Sequence, residues 1–211
     1  MYKHFFKRII DIALSGIGIV VLIPVWIIIA IVIKIDDPGP VLFRQKRIGR
    51  DSKCGEKQFF QILKYRTMRM STPRDVPTHL LVNPDQYITR VGRVLRKTSL
   101  DELPQIFNIF VGEMSIIGPR PALWNQDDLY RERAKYGANA VTPGLTGLAQ
   151  IKGRDELEID AKARLDGEYF EKMSFALDFK CFWSTVKRVF HHDGVVEGGT
   201  GEIQRSEIAN R

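Results

Sequence analysis

The chain has 211 residues, 44% of them hydrophobic and 27% charged, a balance that excludes a disordered tail, a collagen-like repeat or a polar linker. Its two cysteines, Cys54 and Cys181, form no Cys-x-x-Cys pair and have no histidine at metal spacing, so neither a disulfide framework nor a zinc site is indicated, and a reducing, cytosolic environment is expected. Basic and acidic residues number 18 and 7 over residues 1–100 but 14 and 18 over residues 101–211. The basic half therefore expects an anionic neighbour, either lipid head groups or a phosphorylated ligand. No RNP-type, zinc-finger or basic-zipper pattern supports nucleic acid.

From Ile12 to Ile33 run 22 uncharged residues, 15 of them Ile, Val or Leu, enough for a membrane helix. At about 0.3 to 0.6 kcal/mol per such residue, entry into lipid is favourable by roughly 5 to 9 kcal/mol. The run is too long for a signal peptide and lacks a small-residue cleavage site. Pro24 sits in its middle, removes a backbone donor and disfavours helix at Ile23, which predicts a kink. Basic residues flank both ends: Lys3, Lys7 and Arg8 before it, Lys34, Arg44, Lys46, Arg47 and Arg50 after it. If positive charge stays on one face, a re-entrant helical hairpin satisfies both facts, with a simple spanning helix as the alternative. Asp11, at the edge of the run, is expected to pair with nearby cations.

After the turn cluster Asp36-Asp37-Pro38-Gly39-Pro40, Val41 to Ile48 and Gln58 to Tyr65 read as a β-hairpin joined by the polar loop Gly49 to Lys57. Lys64 and Arg66 lie at alternate positions and so share a face, either a solvated strand edge or an anion site. Residues 71–87 carry three prolines and read as a loop, and a short basic helix runs through Arg90, Arg93, Arg96 and Lys97. Leu103, Ile106, Phe107 and Phe110 then have amphipathic helical spacing, with Gly112 as a stop. Ser99 and Glu102 make a capping box, whereas Pro104 favours a start nearer Asp101. Either start puts Asp101 and Glu102 at a helix N-terminus, where the macrodipole keeps carboxylates ionised. Such a pair serves stability alone or supplies a nucleophile.

Gly118-Pro119-Arg120-Pro121 is a rigid loop that restricts one guanidinium. Trp124 to Tyr136 reads as a charged helix closed by Gly137. Pro143 to Gly147 is a second rigid loop, leading to Gln150 and Arg154, and such loops can offer backbone donors to phosphate. Over Phe175 to Phe190, Phe179, Phe182, Trp183, Val186 and Phe190 share one helical face, which suits the membrane interface and core packing equally. Beyond His191 a Gly-rich polar tail is expected.

With these residues in view, the chain resembles the bacterial sugar transferase family, the small monotopic polyprenol-phosphate phosphoglycosyl transferases that begin surface-glycan assembly. The likeness runs from about Lys7 to Val189 and rests on Asp36 to Pro40, Phe43 to Gly49, Lys64 to Met68, Lys97 to Gln105, Met114 to Pro121 and Pro143 to Arg154 in that order. It implies an α+β, mainly helical fold with a re-entrant membrane helix over 1–35, a catalytic region over 36–190 and a tail over 191–211. It also implies that Asp101 attacks the β-phosphorus of a UDP-sugar, expels UMP and passes the phosphosugar to polyprenol phosphate (undecaprenyl phosphate by the same implication). Glu102 completes the dyad, and magnesium is implied at Asp101 and Glu102. Lys64, Arg66, Arg120, Gln150 and Arg154 are then candidates for phosphate and nucleotide contacts, with Pro119 and Pro121 shaping the pocket. The implied location is the cytoplasmic face of the bacterial inner membrane, with lipid as partner and room for a homodimer. Two positions depart from the family pattern: Ile23 stands where serine is common before the kink proline, and Leu148 stands where tryptophan is common, which implies altered sugar or interface contacts. The competing reading of the whole chain is a membrane-anchored module that binds anionic lipid or a partner protein without catalysis.

Overall fold

Helix α1 (Lys7–Val21) turns the usual amphipathic rule inside out. Its buried residues are Lys7, Asp11 and Ser15, one polar stripe at four-residue spacing, while Ile9, Ile12, Leu14, Ile17, Val20 and Val21 are exposed. The computed structural model describes residues 2–72, 84–153 and 157–190. Among these no single helix is long and apolar enough to cross a membrane, but α1 and α2 (Ile23–Asp36) pass together and are bent by 61°. The bend falls at Leu22, with Pro24 in the first turn of α2, where its missing N–H costs least. The indole Nε1 of Trp26 donates to the carbonyl of Ile19 at 3.2 Å, so a side chain supplies a donor beside the break.

Both ends of the bent pair are tied to the same body. At the start, Lys7 Nζ lies 2.6 Å from Asp178 Oδ2, and Tyr2 and Tyr169 both donate hydroxyl bonds of 2.6 Å to that carboxylate. Asp11 accepts the backbone N–H of Ile116 at 3.0 Å and lies within the field of Lys7, the nearby cation expected from sequence. At the end of α2, Asp36 accepts from Val91 N at 2.9 Å, and Asp37 pairs with Arg66.

Strands β1 (Leu42–Ile48) and β2 (Phe59–Tyr65) form the expected antiparallel hairpin, in register from Leu42↔Tyr65 to Ile48↔Phe59. Next come α3 (Arg90–Lys97) and α4 (Gln105–Val111). Of the predicted apolar stripe, Leu103 packs against Ile29, Ile33, Tyr65 and Leu95 just before α4 begins. Gln105, Asn108 and Ile109 are buried, while Phe107 and Phe110 are exposed. The cause is Asn108, whose amide completes the free edge of β2: Oδ1 accepts from Leu63 N at 3.0 Å and Nδ2 donates to Gln61 O at 2.8 Å. Arg8 closes the other end of α4 by donating to the Ile109 and Phe110 carbonyls at 2.6 and 2.7 Å, a cation at a helix C-terminus.

Strand β3 (Ser115–Ile117) pairs in parallel with β4 (Gly144–Thr146), with α5 (Asp127–Ala134) between them. A Cβ at Gly144 would lie 2.1 Å from Gly118 N, so the two loops approach as closely as backbone allows. Three helices follow: α6 (Leu148–Lys152), α7 (Ile159–Lys172) and α8 (Phe175–Phe190). Helix α7 and both short strands carry no pattern that the sequence reading recognised. On α8, Cys181 packs in the core with Ile117, Val141, Leu148 and Tyr169, while Phe179 and Trp183 are 58% and 50% exposed. Phe179 and Trp183 of the aromatic face are therefore outside the core, and Phe182 and Val186 line a cavity shared with Asp101. Leu148 is 4% exposed within that core, so the departure from tryptophan falls on packing and not on a surface offered to a ligand.

Candidate active site

The site is assembled where the hairpin, the turn after α3 and the Pro119–Arg120–Pro121 loop meet. Directly paired residues of an antiparallel hairpin share a face, so the pairs Phe43↔Lys64, Gln45↔Ile62 and Arg47↔Phe60 put Arg47 and Lys64 on the same side. Lys64 Nζ lies 2.7 Å from Glu102 Oε1, and Arg120 Nη2 lies 4.0 Å from the same oxygen. Burial pushes the Glu102 carboxyl up, but Lys64, Arg120 and Arg47 outweigh it and hold the group at about 2.

This cause differs from the one expected. Asp101 and Glu102 do not occupy the first turn of α4; they lie in a short 3-10 turn, Leu100–Glu102, and α4 begins only at Gln105 with Pro104 as its N-cap. Ser99 makes no side-chain cap. With φ 57 it is left-handed, and its N–H bonds the Arg96 carbonyl at 3.1 Å, so it terminates α3 in the position usually held by glycine. A left-handed serine costs about 1 to 2 kcal/mol, and it sits immediately before the dyad. Cations on three separate segments, and not a helix dipole, keep Glu102 ionised.

Asp101 is 6% exposed and lines a cavity of about 830 Å³. Its apolar lining includes Leu14, Gly18 and Leu22 from the bent pair, Ile106 from α4, and Phe182 and Val186 from α8. Gln126, Arg133, Gln150, Lys162 and Asp166 line it as well, among the apolar residues Ala122, Leu123, Leu129, Ala149 and Ile151. Arg133 binds Asp166 through Nε at 2.8 Å and donates to the Arg120 carbonyl at 3.0 Å, while Arg47 donates to the Pro121 carbonyl at 3.0 Å. The two bonds fix the proline-flanked loop from either side, so the Arg120 side chain, 43% exposed, has a stationary base.

Of the residues singled out by sequence, Asp101, Glu102, Lys64, Arg120, Pro121 and Gln150 converge on this region. Pro119 accepts from Gly144 N at 2.8 Å and joins the two loops. Arg66 is elsewhere: it is buried, its Nε donates to the Pro40 carbonyl at 2.7 Å, and it pairs with Asp37, so it anchors the turn cluster to the strand end. Arg154 and the 191–211 tail lie outside the described residues, as do residues 73–83 of the expected loop. Sequence reasoning missed Arg47, Arg96, Arg133 and Asp166 as site residues. Only the hairpin register could have revealed Arg47.

The donor set also bears on magnesium. Among the described residues no three His, Cys, Asp or Glu side chains form a metal cage. Two adjacent carboxylates suit a hard ion that keeps most of its waters and takes its remaining oxygens from a bound phosphate.

Lys64, Arg120 and Arg47 gather at Glu102, and the cavity that Asp101 and Glu102 line also carries apolar residues of the bent pair, an arrangement suited to a ligand that is both anionic and apolar. Residues 2–192 match the description "Bacterial sugar transferase", and the chain belongs to that family. It is similar to the exopolysaccharide production protein ExoY of Rhizobium meliloti (strain 1021), 34% identical over 197 residues that cover 87% of this chain and 84% of the relative. It is likewise similar to the UDP-glucose:undecaprenyl-phosphate glucose-1-phosphate transferase of Escherichia coli (strain K12), 38% identical over 87% of this chain and 40% of that one. The undecaprenyl-phosphate galactose phosphotransferase of Salmonella typhimurium (strain LT2) is 34% identical over 91% of this chain and 42% of its own. The chain thus spans about two fifths of the last two relatives.

Proposed function

We propose that this protein moves a sugar phosphate from a UDP-sugar to a polyprenyl phosphate in two displacements at Asp101. In the first, a carboxylate oxygen of Asp101 bonds to the β-phosphorus while the bond from that phosphorus to the bridging oxygen breaks, and UMP leaves with the electron pair. In the second, a phosphate oxygen of the lipid bonds to the same phosphorus and the Asp101 carboxylate is released. Lys64, Arg47 and Arg120 neutralise phosphate oxygens, which is most of what phosphoryl transfer asks of a protein. Asp101 and Glu102 would hold magnesium together with the substrate diphosphate, where it would spread the charge on the departing UMP.

The observation that carries this reading is the single cavity in which Asp101 and Glu102 meet both Arg120 and the apolar residues Leu14, Gly18 and Leu22 of the bent pair. A water-soluble nucleotide and a long isoprenoid need such different surroundings joined at one carboxylate. Lipid burial of the pair is supported by the exposed apolar sides of α1 and by Ile27, Ile28, Ile31 and Ile35 of α2. A re-entrant course, with both ends on the cytoplasmic side, is supported by Lys7 and Asp36 contacting one and the same body. The exposed aromatic face of α8 and Phe107 and Phe110 of α4 would then rest in the interface.

The test is UMP release from a panel of UDP-sugars by purified protein with magnesium, beside Asp101→Asn. Release by the native chain and none by the folded variant is expected. Equal release by both would exclude Asp101 as nucleophile.

A further inference from the structure

Two side-chain amides lie on the docked face of α4, and the fold uses only one of them. Asn108, 2% exposed, engages Leu63 N, Gln61 O and, at 2.7 Å, Glu113 Oε2. Gln105, one turn earlier and 3% exposed, makes no side-chain hydrogen bond among the described residues. A buried amide without a partner disfavours folding, and a ligand that completes it accounts for its presence. We propose that Gln105 is a substrate-contacting residue whose Nε2 donates to an oxygen of the donor's α-phosphate, the phosphate that leaves with UMP. The proposal rests on the proposed transfer reaction and adds to it a residue that grips the leaving group.

Gln105 lines a recess of about 10 Å³ together with Arg47, Lys64, Glu102 and Arg120. Such a volume admits one oxygen-sized group and excludes a sugar ring or a base. Three cations face one carboxylate there, so an anionic oxygen is favoured over water, and the amide adds a neutral donor to the charged ones. Position then selects the phosphate. Glu102, Arg47 and Arg120 line both the recess and the larger cavity, whereas Asp101 lines only the larger cavity. Attack and departure lie in line on opposite sides of the β-phosphorus. With the Asp101 carboxylate on one side, an oxygen held in the recess beyond it belongs to the departing phosphate.

The experiment compares the full native chain, Gln105→Met and Gln105→Glu in detergent micelles with magnesium. UMP binding is measured by calorimetry and uridine binding by competition with UMP, beside kcat/KM for UMP release and thermal unfolding. Gln105→Met keeps the side-chain length and deletes the donor. It is expected to weaken UMP by about ten- to a hundredfold, the effect of one hydrogen bond to a charged group, to lower kcat/KM in step, and to leave uridine within about twofold. Its unfolding midpoint should equal or exceed the native one, because no bond within the fold is lost. Gln105→Glu sets a carboxylate against the phosphate and should weaken UMP further than Gln105→Met. UMP binding by Gln105→Met within about twofold of native, uridine weakened as much as UMP, or Gln105→Glu binding UMP as well as the native chain would each overturn the proposal. No UMP release by the native chain from any UDP-sugar would instead remove the transfer reaction, and the comparison of UMP with uridine would still decide the recess. If Gln105→Met does not fold, Gln105→Asn retracts the amide by one methylene and gives the same readout.

Discussion

Replacing Lys64 with methionine keeps the hydrocarbon stem on the hairpin and deletes the ammonium 2.7 Å from Glu102. In the intact protein burial raises the Glu102 carboxyl, and Lys64, Arg120 and Arg47 bring it from 4.5 to about 2. At 1.36 kcal/mol per pH unit, that depression is about 3 kcal/mol of preference for the charged form. Lys64 is the largest of the lowering influences, and Arg120 is only at 4.0 Å. Without Lys64, burial is opposed by Arg120 and Arg47 alone, and the carboxyl moves back up.

A carboxyl depressed in the folded state contributes stability that is full above its unfolded value of 4.5 and is lost as pH falls through about 2. The variant lacks most of that contribution at neutral pH, so it should unfold more easily by roughly 1 to 3 kcal/mol. Thermal unfolding in detergent micelles at neutral pH measures this loss. In UMP release, the acid limb of the variant's pH profile should lie higher than that of the native protein. Equal unfolding at neutral pH together with superimposable acid limbs would refute the claim that Lys64 holds Glu102 ionised.

Asn108→Leu removes the amide that satisfies Leu63 N and Gln61 O, and leaving those two groups buried should cost about 2 to 4 kcal/mol, read as a lowered unfolding midpoint. Arg8→Met deletes two bonds to the last carbonyls of α4 and should cost about 1 to 2 kcal/mol by the same measurement. Single cysteines at Lys3 and Arg50, introduced after removal of exposed Cys54, should both react with a membrane-impermeant thiol reagent from the cytoplasmic side of inverted vesicles. Labelling of the two from opposite sides would contradict the re-entrant course.

The hairpin was legible because turn clusters bound both strands and its residues favour extended backbone; its edges fell within one residue of expectation. Helix α8 was legible from its aromatic stripe. Helix α7 was not, because its buried residues are Ala163, Asp166, Gly167 and Tyr169, which make no apolar period. The amphipathic spacing of α4 left open which face docks, because a polar residue, Asn108, makes the contact to β2. Neither of the two starts weighed for that helix, a Ser99 capping box or a first turn near Asp101, is taken, because Ser99 ends α3 through its left-handed backbone, which residue type does not reveal. At the site, adjacent Asp101 and Glu102 and the proline-flanked Arg120 could be picked out locally. Arg66 and Arg47 could not be assigned locally, since Arg66 pairs with Asp37, 29 residues away, and Arg47 acts on Glu102 only because the hairpin register sets it on the face of Lys64.

The central claim is that Asp101 becomes covalently joined to a sugar phosphate before any lipid is present. Intact-mass measurement of the protein after incubation with a donor UDP-sugar and magnesium, without polyprenyl phosphate, tests it directly. The expected result is a mass increase equal to one sugar phosphate, located by fragmentation to Asp101 and cleared when the lipid phosphate is added. An unmodified mass under conditions where the complete system turns over, or an adduct on another side chain, would contradict it.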